Sequence, residues 1–123
     1  MTPPPLPQES FELLLIDLAI ENWRLARLFQ KVLAKLDAGE TARYSSQLRF
    51  SQRKIEESLA AAGLKLVNLE GQPFDPGMAA DPVNLGDFEP DVPLLVEQML
   101  EPIIMGTTGL KKAGTVILRK AHL

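Results

Sequence analysis

The chain has 123 residues, of which 46% are hydrophobic and 24% are charged, and its formal net charge is −3. This length favours one domain, or a helical part attached to one small globular part. The negative balance gives no reason to expect binding to nucleic acid or to an acidic membrane surface. The absence of cysteine excludes disulfides, thiolate metal sites and cysteine nucleophiles, and it fits a cytoplasmic protein.

The N-terminus contains four prolines in its first seven residues, so we predict an extended, disordered lead over residues 1–9. No basic residue precedes an apolar run there, and no secretory signal is predicted. The apolar run from Phe11 to Ile20 is interrupted by Glu12 and Asp17. It is too short for a membrane span.

Proline and glycine divide the rest of the sequence at one point. Between Ser10 and Ala62 there is no proline and a single glycine, whereas residues 63–123 contain six prolines and seven glycines. Continuous helix is therefore possible only in the first part. We predict an α+β fold, with a helical dimerisation region over residues 10–62 and a small, mostly β domain over residues 63–123.

The first predicted helix begins after Ser10, a good N-cap, and ends near Asp37. Its main apolar stripe has helical spacing and contains Phe11, Leu14, Leu18, Leu25, Leu28, Val32 and Leu36. A second apolar face, confined to the N-terminal half, contains Leu13, Ile16, Ile20 and Trp23. A second helix is predicted from Thr41 to Ala62, with Gly63 as the residue that ends it.

A two-helix hairpin covers one apolar stripe of each helix, so the second face of the first helix needs another cover. Packing against the protein's own β domain is one explanation, and self-association is the other. We favour self-association into a dimeric four-helix bundle, because two long helices joined by a short loop commonly complete their core in this way. The predicted dimer interface contains Leu14, Ile16, Leu18, Ile20, Trp23, Leu25 and Leu28.

The second part of the sequence combines strands with tight turns. A strand is predicted over Leu64–Leu69, turns over residues 70–71 and 74–77, and a β-branched strand from Gly114 onwards. Residues 92–104 are ambiguous. The spacing of their apolar side chains favours a helix, but a strand buried on both faces would have the same composition.

No group of side chains in the sequence predicts a catalytic or metal site. The single histidine is His122, so a transition-metal site is not expected. The glycines at 106 and 109 resemble a phosphate loop but lack the Lys-Ser/Thr pair that would follow, which favours a plain turn. The acidic residues between Asp81 and Asp91 lack the spacing of a calcium loop. We therefore predict a protein that is not an enzyme and needs no cofactor or metal.

Three motifs follow one another in an informative order. The helical part ends in LAAAGL at residues 59–64, GQPFDP follows at residues 71–76, and residues 114–121 read GTVILRKA. In this order they resemble the GrpE family, the nucleotide exchange factors of DnaK-type heat-shock chaperones. That family typically has a leucine-rich helix that ends in glycine, then a strand, then the motif G-x-x-FDP. Its last strand typically reads V-L-R-x-A, and in this chain the residues in that place are LRKA at 118–121.

The resemblance implies a co-chaperone with roles in protein folding and the stress response. Family members dimerise through their helices, and their β-domain wedges against the chaperone's nucleotide-binding domain and opens its cleft, so that ADP leaves. The resemblance also implies that residues 92–104 form a strand. The partner-binding candidates by resemblance are Phe74, Asp75 and Pro76. Met78 is added as an adaptable apolar neighbour, and Arg119 either pairs with an acidic chaperone surface or is solvated. The alternative for the turn residues is a structural role, with Phe74 in the core and Asp75-Pro76 setting the turn.

Two departures from the family pattern leave a second function open. The family usually follows FDP with a His-Glu-Ala segment, whereas residues 77–82 read GMAADP here. The long N-terminal helix typical of the family is also much reduced. A non-exchanging dimeric adaptor or assembly factor on the same scaffold is therefore the alternative.

Overall fold

The computed structural model describes residues 8–121 of the chain. Residues 1–7 lie outside this range, and they make up most of the predicted N-terminal lead. The single histidine, His122, also lies outside it. The fold is α+β, as predicted, with two helices followed by six short strands. The chain divides into two compact units at Gly63. We call them the helical unit and the β unit and describe each by itself.

The helical unit is an antiparallel hairpin of α1 (Gln8–Leu33) and α2 (Ala38–Ala61). The first helix begins earlier and ends earlier than predicted. Asp37, which was predicted to end the first helix, instead caps the second, since its carboxylate accepts the N–H of Glu40 at 2.9 Å. Such a cap satisfies one of the free N–H groups of the first helical turn. The Thr41 hydroxyl also donates to the Leu33 carbonyl at 2.8 Å, which ties the two helix ends together.

The end of α2 is set by Gly63, as predicted. Ala62 is the C-cap residue, and Gly63 follows with φ of 77°. This left-handed conformation is costly for residues with a Cβ atom and common for glycine just after a helix.

The β unit contains two three-stranded sheets. Its strands are β1 (Lys65–Val67), β2 (Ala80–Pro82), β3 (Leu94–Glu101), β4 (Ile103–Gly106), β5 (Gly109–Lys112) and β6 (Gly114–Lys120), with a 3₁₀ turn over Leu85–Asp87. One sheet has the order β1-β4-β5 and is antiparallel. The other has β6 at its centre, with β2 parallel on one side and β3 antiparallel on the other.

Residues 94–106 form the two strands β3 and β4. The helix that local spacing favoured for residues 92–104 is therefore wrong, and the observed strands agree with the conformation that the resemblance implied. The buried Pro102 stands between β3 and β4, where the chain leaves one sheet for the other. Proline has no N–H to give to a ladder, which suits this break. The residues at 106 and 109 flank the β4–β5 turn, as predicted. The β5 strand itself was not predicted.

The core of the β unit lies on strands of both sheets. Its most deeply buried side chains are Val96, Met99, Ile104, Val116 and Leu118. Gly114 is closely enclosed by β3, since an added Cβ would lie 2.8 Å from the Met99 methyl carbon and 2.9 Å from the Glu101 carbonyl oxygen. The absence of a side chain there allows β3 and β6 to approach closely.

Candidate functional site

One face of α1 carries large apolar side chains that the described residues leave exposed. We call it the α1 stripe, and it consists of Phe11, Leu14, Leu18, Leu25, Leu28 and Val32. Each of these side chains is at least half exposed, and Leu18 and Leu25 are 68% and 64% exposed. Their spacing alternates between three and four residues, apart from the place of Glu21, and this is the repeat with which a helix packs along another helix.

The opposite face of α1 is the buried one. Ile16 and Ile20 are only 4% and 5% exposed in the single chain. Trp23 is half-buried, and the Arg27 guanidinium stacks over its ring at 4.5 Å from the centroid. The predicted dimer interface is therefore split by the structure. Its exposed members are Leu14, Leu18, Leu25 and Leu28, whereas Ile16 and Ile20 are already covered without a second chain.

A groove between the two helices borders the α1 stripe. It has a volume of about 350 Å³, and Leu25 and Phe29 of α1 face Leu48 and Ser51 of α2 across it. The hairpin is therefore incompletely filled on the side that carries the stripe. The groove is open to solvent, so side chains of another molecule could enter it.

In the β unit, the predicted F-D-P turn is held by a compact set of hydrogen bonds. The Asp75 carboxylate accepts the Gly77 N–H at 2.9 Å, and the Asp75 carbonyl accepts the Met78 N–H at 2.9 Å. The Met78 sulfur in turn accepts the Asp75 N–H at 3.4 Å. The Phe74 N–H donates to the Leu94 carbonyl of β3 at 2.9 Å, which anchors the turn to the sheet.

Phe74 and Pro76 line a surface groove of the β unit, which we call the Phe74 groove. Its volume is about 470 Å³. The other lining residues are Leu85, Phe88, Glu89, Pro90, Asp91, Val92, Pro93 and Leu94. Phe74 is half-buried and Leu85 is 48% exposed, so the groove offers apolar surface that solvent reaches.

The rim of the Phe74 groove is acidic. Glu89 and Asp91 line it, and Asp75 and Asp87 are exposed beside lining residues. None of the described lining residues is basic. Asp91 is also the one non-glycine residue with positive φ, at 69°, among the described residues. Backbone held in this region costs free energy and is found more often at functional sites than elsewhere.

The structure brings four of the five predicted partner-binding residues together, because Phe74, Asp75, Pro76 and Met78 belong to one turn. Arg119 is half-buried on β6 and does not line the groove. Sequence reasoning missed Leu85 and Phe88, which complete the apolar wall. The signal that could have found them is the alternation of bulky apolar residues and prolines between residues 85 and 94.

Neither a metal-ligand cluster nor a membrane-spanning helix is found among the described residues. No three His, Cys, Asp or Glu side chains within residues 8–121 are grouped to hold a metal ion. Neither of the described helices has the length and apolar content needed to cross a membrane. No protein-family model matches the chain, and no match was found among curated proteins or solved structures.

Proposed function

We propose that this chain is a homodimeric, GrpE-like co-chaperone of the cytoplasm. It binds the nucleotide-binding domain of a DnaK-type chaperone and promotes the release of ADP. The observation that carries the proposal is the pairing of two surfaces in one chain. The helical unit leaves the α1 stripe open, and the β unit presents the F-D-P turn on the wall of an open groove. Both surfaces are suited to contact with proteins.

Self-association through the α1 stripe is the first element of the proposed function. A stripe repeating every three and four residues fits a helix with the same repeat, and a second copy of the chain supplies one. Contact between two copies would bury Leu18 and Leu25 and bring side chains to the incompletely filled groove between the helices. A twofold-symmetric pair of hairpins makes the predicted four-helix bundle.

Exchange by such a protein is a shift between two states of the chaperone. A factor that binds the open nucleotide cleft more tightly than the closed one increases the open population, and ADP leaves from the open state. No side chain of the factor has to touch the nucleotide. A protein with binding surfaces and without a cluster of catalytic groups can perform this task.

The proposal is tested by following the release of a fluorescent ADP analogue from the DnaK-type chaperone of the same organism. We expect an acceleration of about tenfold or more at saturating protein, which corresponds to about 1.4 kcal/mol. The Phe74→Ala variant should lower the acceleration, and Leu110→Ala, which removes an exposed apolar side chain from β5 outside the groove, should not. Release at the uncatalysed rate with saturating wild-type protein would show that the proposal is wrong.

One observation favours a non-exchanging adaptor instead. Residues 77–82 contain neither the His nor the Glu of the family's segment, and Ala80, buried at the start of β2, has no polar side chain to offer a partner. If a tagged chain recovers a protein other than a chaperone, and ADP release is unchanged, the adaptor is the better assignment. Recovery of the chaperone together with accelerated release excludes it.

A further inference from the structure

The Phe74 groove combines an apolar floor with an acidic rim, and these two properties determine which side chains of a partner would fit it. Phe74, Leu85 and Phe88 supply the apolar surface, and the exposed carboxylates of Glu89 and Asp91 stand among the lining residues. A partner segment entering the groove loses water from its side chains, and an apolar side chain gains most from that loss. Its flanking residues remain at the rim, close to negative charge.

We propose that the Phe74 groove binds a loop or extended segment of a partner protein in which one bulky apolar residue is flanked by lysine or arginine. Charge complementarity argues for basic flanks, since an acidic segment would be repelled by the rim carboxylates. The long aliphatic stems of lysine and arginine also pack well on aromatic and proline surfaces. The inference rests on the proposed function for the class of protein that carries the segment, whereas the segment's chemistry rests on the groove.

The backbone at Asp91 supports a site built for contact. Asp91 has φ of 69° and lies between Pro90 and Val92-Pro93, a stretch whose prolines restrict its other conformations. The prolines fix φ at residues 90 and 93 and restrict the residues before them, so fewer backbone conformations are open to the rim. A preorganised rim loses little conformational entropy on binding.

The direct test measures binding of labelled peptides to the full chain by fluorescence anisotropy at low salt. The first peptide has a central phenylalanine flanked by two lysines on each side. The second has glutamates in place of the lysines, and the third has alanine in place of the phenylalanine. We expect the first to bind at least tenfold more tightly than either of the others. Equal binding of the glutamate peptide would overturn the proposal.

Variants of the chain test whether the peptide binds in the Phe74 groove. Glu89→Gln with Asp91→Asn removes two charges and keeps side-chain size, and asparagine tolerates positive φ as well as aspartate does. We expect about a fivefold loss of affinity for the lysine peptide and a weaker salt dependence. The matched control is Glu97→Gln, which removes an exposed charge from β3 outside the groove and should leave binding unchanged.

The apolar part is tested by Leu85→Ala, with Leu110→Ala as control. Both side chains are about half exposed, but only Leu85 lines the groove. We expect at least a threefold loss of affinity for the first change and none for the second. Equal affinity for all four variants would overturn the proposal. So would a change of oligomeric state on neutralising the rim, because the occupant would then be a second copy of the chain.

The proposal and the proposed function fail in distinguishable ways. If the lysine peptide binds as described but ADP release is not accelerated, the groove assignment stands and the exchange function is wrong. If ADP release is accelerated equally by wild type and by the rim variant, and the peptides do not discriminate, exchange stands and the groove assignment is wrong.

Discussion

The side chain of Asn84 binds both backbone polar groups of Leu118, through two hydrogen bonds of 2.9 Å each. Its amide nitrogen donates to the Leu118 carbonyl, and its carbonyl oxygen accepts the Leu118 N–H. Just before it, the Val83 N–H donates to the Val116 carbonyl at 3.0 Å. Asn84 therefore extends the pairing along β6 with a side chain, one residue beyond the point where backbone pairing ends.

The Asn84→Ala variant should destabilise the β unit by about 2–3 kcal/mol, because it leaves two polar groups of a buried residue without partners. Hydrogen exchange at the Leu118 amide and thermal unfolding followed by circular dichroism would measure the loss. Fluorescence of Trp23, the one tryptophan, reports on the helical unit instead. Gln72→Ala, which shortens an exposed amide side chain in the same unit, should change stability by less than about 0.5 kcal/mol.

The Gly114→Ala variant should lower the free energy of unfolding by about 2 kcal/mol or more. An added methyl group would stand 2.9 Å from the Glu101 carbonyl oxygen, which belongs to the backbone and cannot move aside without disturbing β3. Gly86→Ala is the matched control, since open space surrounds that position within 4 Å. Equal unfolding midpoints for the two variants would contradict the close approach of β3 and β6.

Exchanging Leu18 and Leu25 for glutamate should dissociate the proposed dimer without unfolding the hairpin. Both side chains are exposed in the single chain, so their change costs little until a second copy covers them, and buried charges are then unfavourable. Sedimentation velocity should show at least a tenfold weaker dimer. Leu13→Glu is the control, because Leu13 is 63% exposed but lies outside the α1 stripe. A wild-type chain that sediments as a monomer at micromolar concentration would contradict the dimer.

The Ile20→Asp variant should act differently, by unfolding rather than by dissociation. Ile20 is buried in the single chain, and a carboxylate there would have no water around it. We expect a loss of helical circular dichroism at 25 °C or a fall in the unfolding midpoint of at least about 5 °C. A folded variant that merely becomes monomeric would place the dimer contact at Ile20 instead of at the α1 stripe.

Glu21→Leu should strengthen the dimer. Glu21 stands between Leu18 and Leu25 at the spacing of the α1 stripe, and its contact with Arg24 at 3.3 Å joins two exposed side chains, so its loss costs little. Replacing a charge by leucine at such a position should raise affinity about tenfold. Glu56→Leu on α2, equally a change of an exposed glutamate, should leave the affinity unchanged.

The strand β3 explains why local spacing indicated a helix. Val96 and Met99 lie three residues apart, as core positions of a helix do, yet both point to the core and pair with Leu118 and Val116 of β6. The register shift between Val96 and Gln98 makes this possible, because a bulge inserts a residue and brings the Met99 side chain back to the same face. A period-two test could not find a strand with such shifts.

The sequence predicted that the helical unit consists of two helices, but it did not predict which side chains pack between them. Periodicity found two apolar faces on α1, but it could not tell which one the single chain covers, since both faces carry leucine or isoleucine. Asp37 and Gly39 favoured a helix end, and the sequence alone does not distinguish an aspartate that follows one helix from one that caps the next. The capping bond to Glu40 decides between them.

Of the Phe74 groove, the sequence predicted the turn but not the other lining residues. Proline and aspartate identify a turn at residues 74–77 from local chemistry alone. The groove also needs Leu85 and Phe88, which reach the turn only after the intervening chain has paired with β6 and formed a 3₁₀ turn. Contacts created by tertiary structure leave no periodic trace in a short, proline-rich segment.

The central position of β6 has a consequence for the growing polypeptide. Of the six strands it is synthesised last, yet both of its neighbours pair with it. The contacts between α1 and α2 join residues close in sequence, so this hairpin can form early in synthesis. The strands β2 and β3 can pair only after β6 has been synthesised. The α1 stripe can therefore form on a nascent chain before the strands that flank the Phe74 groove have their common partner.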